Sequence, residues 1–208
     1  IKAWILQAIN YNNSYQVIES INLYEKAIDL IKKIKLSNEN LIESIYNNLG
    51  YCYEVQENNI KALEYYQKFK GTKDKNFTNI INLARIHYKL NKKSEMLIYL
   101  DEIPINVSDE SIVIQKNLLQ KMYSENDYLD INEEARKTLI KDIKYFYKMN
   151  QWELLIFYAN VYANFFAERK YYKDSYILLK LVVISQSILL KGGVNNEENY
   201  KQSHFINY

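Results

Sequence analysis

The chain has 208 residues and a mass of 24.9 kDa, enough for one or two domains with a real hydrophobic core. Its 27 Lys plus Arg against 25 Asp plus Glu leave a formal charge of only +2, which argues against a basic nucleic-acid-binding surface. A single cysteine, Cys52, excludes an intrachain disulfide framework and a Cys-based metal site and fits a reducing, cytoplasmic compartment.

Glycine and proline number only 4 and 1, so the residues that hairpins of strands need are scarce, and the expectation is an all-α protein. The chain opens at Ile1 without a Met or a basic-then-apolar leader, which reads as a piece of a longer protein. The most apolar stretches, 152–167 and 176–190, are broken by Glu153, Asn160, Asn164, Lys180 and Gln186, so a soluble protein with no membrane partner is expected.

In chain order, the first helical pair is signalled by Trp4, Ala8 and Tyr11 followed by Ser20, Tyr24 and Ala27. The second is the clearest. Ile45, Tyr46, Leu49 and Tyr53 recur at helical spacing, Gly50 sits mid-helix, and after a polar break at 57–59 come Ala62, Tyr66 and Phe69. A mid-helix glycine costs about 1 kcal/mol relative to alanine, so close approach of a second helix carrying a small residue, Ala62, is expected there. The pattern returns after 34 residues as Ile80, Leu83, Ala84, His87, Met96, Leu100 and Ile103. Helices from about Ser111 to Tyr123 and about Asn132 to Met149 form a degenerate copy, and a looser one runs through Ala159, Ala163 and Phe166 to Ser175, Leu179 and Val182. The step from the first copy to the second is 42 residues, so the helices flanking Ser37 and Asn38 should be lengthened. The last helix, 176–190, is apolar around its circumference and needs a cover, either the tail or a second subunit; Gly192 would stop it.

These residues resemble the tetratricopeptide repeat, a helix-turn-helix unit with a large residue, a Leu-Gly pair and a Tyr in its first helix and Ala-aromatic-Ala in its second. The resemblance implies a right-handed superhelical stack of helical hairpins over residues 1–193, about five repeats with the fourth degenerate, and a tail or cap over 194–208. The first helices would line a concave groove. Its slots are Asn47, Asn48, Tyr51, Glu54 and Val55 in the second copy, Ile81, Asn82, Arg85, Tyr88 and Lys89 in the third, and Asn160, Val161, Asn164 and Ala167 in the later one.

An asparagine amide both accepts and donates, so it can bracket one peptide unit of an extended ligand without regard to side chains. With packed helices roughly 8–10 Å apart and about 3.3 Å per extended residue, one such residue per repeat holds about every third ligand residue. Tyr51 and Tyr88 would supply apolar walls with polar tips. Arg85 has the fork for a ligand carboxylate. The same Asn, Arg85 and Lys89 also fit a plain solvated helix face in a chain rich in these residues.

Other chemistry is thin. His87 fills the slot of Tyr53 and reads as a packed, hydrogen-bonded core residue, and His204 lies in the tail. Cys52 reads as an inert buried thiol. Glu133 and Glu134, like Glu197 and Glu198, fit helix starts or the tail. No cofactor, metal or enzymatic activity is expected.

The Asn-Asn-Leu-Gly-Tyr-Cys-Tyr run at 47–53, the Ala-Leu-Glu-Tyr-Tyr-Gln-Lys run at 62–68, the lengthened hairpin near Ser37 and the stretch from Arg169 to Ser175 are similar to one branch of repeat proteins. These are the peptide-sensing quorum-sensing and arbitrium-type regulators of Gram-positive bacteria and their phages. That resemblance implies a cytoplasmic transcriptional regulator whose groove asparagines hold a signalling peptide of about five to eight residues. It also implies a homodimer, here through the C-terminal helices, and a DNA-reading or other effector part that this segment does not show. The alternative is a static scaffold that binds a partner protein's tail in the same groove.

Overall fold

The amphipathic periods fold into ten α-helices, with no strand among the described residues, in a computed structural model that describes residues 1–13, 16–69, 77–123 and 131–190. They are α1 (Lys2–Asn13), α2 (Val17–Lys33), α3 (Glu39–Val55), α4 (Asn59–Lys68), α5 (Phe77–Lys89), α6 (Lys93–Asp101), α7 (Glu110–Tyr123), α8 (Glu133–Lys148), α9 (Trp152–Glu168) and α10 (Tyr172–Leu190). The expected tail, with Gly192, Glu197, Glu198 and His204, lies outside the described residues. No described helix is long and apolar enough to cross a membrane.

The helices divide between two compact units, one holding α1 to α7 and ending at Asn132, the other holding α8 to α10. In the first unit, α2 buries Ser20, Ile21, Tyr24, Ala27, Ile28 and Ile31, at steps of one and three, and α3 buries Ile45, Leu49, Gly50, Cys52, Tyr53 and Glu54, with Ile45, Leu49 and Tyr53 four apart. Both run 17 residues against 10 for α4, which is the lengthening expected around Ser37 and Asn38. Asparagine starts two of these helices: the Asn38 side chain accepts from Leu41 N at 3.1 Å and the Asn58 side chain from Lys61 N at 3.2 Å. Helix α5 lies deepest in the unit, with every residue from Ile81 to His87 buried, packed by α3, α4, α6 and α7.

Small residues set the closest approaches. Ser20 donates its hydroxyl to Ala8 O at 2.8 Å, tying α2 to α1 with both residues fully buried. At Gly50 the neighbour differs from expectation. A Cβ there would lie 2.5 Å from Tyr66 Cδ1, so the space is filled by the flat ring of Tyr66, while Ala62 is buried one turn earlier. In the second unit α9 and α10 form the hairpin, with Ala163 and Ser175 both buried, and α8 packs on both helices.

Five helix ends explain how the chain turns with so little glycine. Lys35, Glu57, Asn91, Asn150 and Lys170 all adopt positive φ, between 51° and 64°, just after α2, α3, α5, α8 and α9. Each is followed by a residue whose N–H reaches back five positions, as in Asn58 N to Tyr53 O at 2.9 Å and Lys92 N to His87 O at 2.8 Å. These are glycine-type helix stops built from other residues.

Candidate functional site

The groove slots of α3 and α5 converge. Glu54 on α3 and Arg85 on α5 form a two-point pair, Arg85 Nε to Oε1 at 2.6 Å and Nη2 to Oε2 at 2.7 Å. Both are buried, Arg85 at 2% exposure and Glu54 at 5%. Lys89, one turn further along α5 and only partly covered, places Nζ 2.8 Å from the same Oε1, and the Tyr66 hydroxyl donates to Oε2 at 2.8 Å. Arg85 also donates from Nη1 to Gln115 Oε1 on α7 at 2.7 Å and from Nη2 to Asn82 Oδ1 at 2.9 Å. Asn82 Nδ2 in turn donates to Asn47 Oδ1 on α3 at 3.4 Å. One polar network therefore joins three successive hairpin-starting helices.

Its electrostatics follow from burial against charge. Burial alone raises the Glu54 carboxyl, but Arg85 and then Lys89 outweigh it and hold the group down at about 2 from an ordinary 4.5. The Tyr66 phenol is pushed well above its ordinary value by burial and by the Glu54 charge, so it stays a donor.

Of the expected site residues, Asn47, Asn82 and Arg85 are thus brought together. Asn48, Tyr51 and Tyr88 are half-buried on the same two helices, with Lys93 Nζ 6.0 Å from the Tyr88 ring centre. Asn160 and Asn164 belong to α9 of the other unit, the first half-buried and the second exposed. The touching amides are not one helix spacing apart: Asn47 and Asn82 are 35 residues apart, one off the repeat, so adjacent slots of neighbouring helices meet.

Two contributors, Glu54 and Gln115, had no binding chemistry assigned from sequence. Glu54 was a groove slot, and Arg85 stands 31 residues beyond it, one turn short of the 34-residue register, with Lys89 just past that register. Pairing charges across that register would have found it. Gln115 continues the series Asn47, Ile81 by the same step, into a stretch whose repeat signal is weak.

The remaining candidates are structural. Cys52 is buried, its thiol pushed up to about 11 by burial, with Sγ donating to Asn12 Oδ1 at 3.6 Å and Ser20 Oγ also 3.6 Å away. His87 is buried and stacked on Tyr99, ring centres 5.2 Å apart, but neither ring nitrogen has a hydrogen-bond partner among the described residues, which corrects the expectation of a satisfied histidine. Burial lowers its pKa, with Glu95 opposing. Glu133 opens α8 and pairs with Lys137 at 2.6 Å on an exposed face. Among the described residues no group of three or more His, Cys, Asp or Glu is placed to hold a metal.

No protein-family model matches the chain. It is 37% identical over 100 residues to the uncharacterised protein ycf37 of Cyanophora paradoxa, covering 46% of this chain and 58% of that one. It is 24% identical over 205 residues to the transcriptional activator NprA of Geobacillus stearothermophilus, covering 86% of this chain and 48% of NprA. The chain thus spans about half the length of the curated relatives it matches. Among solved structures it resembles the apo form of RapI, with a TM-score of 0.63 at 16% identity over 88% of this chain and 67% of RapI. That likeness is one of fold, an all-helical repeat.

Proposed function

We propose that this chain is the peptide-binding part of a cytoplasmic regulator of the quorum-sensing kind, transcriptional in output and not an enzyme. A signalling peptide of about five to eight residues would lie extended against the first helices of the hairpins. The observation that carries the reading is the row of side-chain amides: Arg85 orders Asn82, and Asn82 reaches Asn47 on the neighbouring hairpin. Such amides serve backbone N–H and C=O alike.

Asn48, Tyr51 and Tyr88 complete the proposed site on the first unit, and Asn160 and Asn164 would hold ligand backbone on their own unit. The fold likeness to RapI and the weak similarity to a transcriptional activator support the same direction. Pairing of two copies through α10 belongs to the proposal, since Tyr172, Tyr176, Leu179 and Val183 form an exposed stripe along it.

The test offers the immobilised protein a pool of synthetic peptides of about five to eight residues, with retained peptides identified by mass spectrometry. The wild type is expected to enrich a defined subset, and Asn48→Ala and Asn82→Ala each to weaken its binding by about 1–3 kcal/mol. A wild type that enriches nothing, or full retention by both variants, overturns the reading.

A further inference from the structure

We infer that Arg85 is a positioning residue: it fixes the orientation of the Asn82 amide and does not itself receive a ligand carboxylate. The inference rests on the peptide-binding reading above and specifies how that site is set. The sequence marks Arg85 as the guanidinium that would face a ligand, but four hydrogen bonds direct its donors inward, two to Glu54, one to Gln115 and one to Asn82. With five N–H groups in a rigid fork and 2% exposure, it is held within the protein's own network.

What that arrangement controls is the amide. An asparagine side chain is nearly symmetric in shape and opposite in chemistry at its two ends, so an unsupported one presents either oxygen or NH2 to a given neighbour. Arg85 Nη2 admits only the oxygen of Asn82, because an NH2 there would set donor against donor. The NH2 is then turned to Asn47 Oδ1. Asn82 Oδ1 retains a second lone pair and Nδ2 a second hydrogen, in a fixed order.

In an extended ligand the N–H and C=O of one residue point to the same side, so an amide held in one orientation brackets only one chain direction. Glu54 anchors the arrangement: it grips Arg85 at two points and is itself held by Tyr66 and Lys89.

The experiment takes a peptide enriched by the wild type and prepares a second form with every carboxylate converted to its amide. Both are titrated against wild type, Arg85→Lys and Glu54→Gln, with folding of each variant checked by circular dichroism. Glu54→Gln keeps the shape of the site and serves if Arg85→Lys does not fold. A positioning role predicts that each folded variant weakens both peptide forms alike, by about two- to tenfold, the worth of one bracket hydrogen bond.

Selective loss of the carboxylate form in Arg85→Lys overturns the inference, as does tighter binding of that form by Glu54→Gln, where a released guanidinium would receive it. Unchanged affinity in the folded variants also overturns it. Each of these is read with the wild type still binding peptide, which separates them from failure of the peptide reading, seen as a wild type that retains nothing; that result removes both.

Discussion

Replacing Glu54 by glutamine removes one negative charge from a site where two cations and a phenol converge, while keeping the side chain's length and one acceptor. The carboxyl sits at about 2 against an ordinary 4.5. At about 1.4 kcal/mol per pH unit this amounts to about 3 kcal/mol of preferential stabilisation of the charged form. The same size is reached from the other side, since breaking a buried ion pair costs about 3–5 kcal/mol by leaving the partner charge uncompensated, and Arg85 is 2% exposed. Because the folded-state value lies below the unfolded one, this stability is fully present above about pH 4.5 and is lost as pH falls toward about 2. Urea denaturation of wild type and Glu54→Gln should therefore show a gap of about 3 kcal/mol at pH 7 that narrows clearly by pH 3. A gap below about 0.5 kcal/mol at neutral pH, or one that does not narrow on acidification, would show that the Glu54 charge does not carry this stability.

Further expectations follow from particular contacts. Gly50→Ala sets a Cβ 2.5 Å from the ring of Tyr66, whose hydroxyl is tied to Glu54, so overpacking of about 1–3 kcal/mol should outweigh the helix-propensity gain of about 1 kcal/mol; a raised melting temperature would count against this packing. Glu57→Gly relieves a side chain held at φ 60° and should stabilise by about 0.5 kcal/mol in denaturant titration, with Asn91→Gly gaining less because asparagine tolerates this region. His87→Phe removes two buried, unsatisfied nitrogens and should stabilise by about 1 kcal/mol. The lowered folded-state pKa of His87 means that wild type loses stability as pH falls below about 6.5. The variant should lack that slope, and equal slopes in stability against pH would show His87 to be satisfied.

Much of the fold was readable because helical periodicity depends on local spacing alone. Helices expected from about Ser111 to Tyr123 and about Asn132 to Met149 appear as Glu110–Tyr123 and Glu133–Lys148, and the long pair around Ser37 follows from the 42-residue step. The scarcity of glycine pointed correctly to helices but concealed the turns, since Lys35, Glu57 and Lys170 take a backbone conformation that glycine usually supplies. What escaped was pairwise and long-range. Gly50 signalled close approach, but whether a small side chain or a flat ring makes it depends on the rotamer of Tyr66. Arg85 looked ligand-facing because its acid, Glu54, lies about a repeat away and was itself named only as a groove slot. For the asparagines the register placed Asn47 and Asn82 on adjoining helices, and only the structure shows their amides in contact.

The most direct measurement of ligand holding by side-chain amides is the nitrogen-15 spectrum of the asparagine NH2 groups, recorded while a peptide enriched by the wild type is titrated in. The NH2 signals of Asn47, Asn48 and Asn82 should shift with saturation, while those of the exposed Asn22 and Asn117 stay in place. Saturable binding that leaves the signals of Asn47, Asn48 and Asn82 unmoved would show that these amides do not hold the peptide.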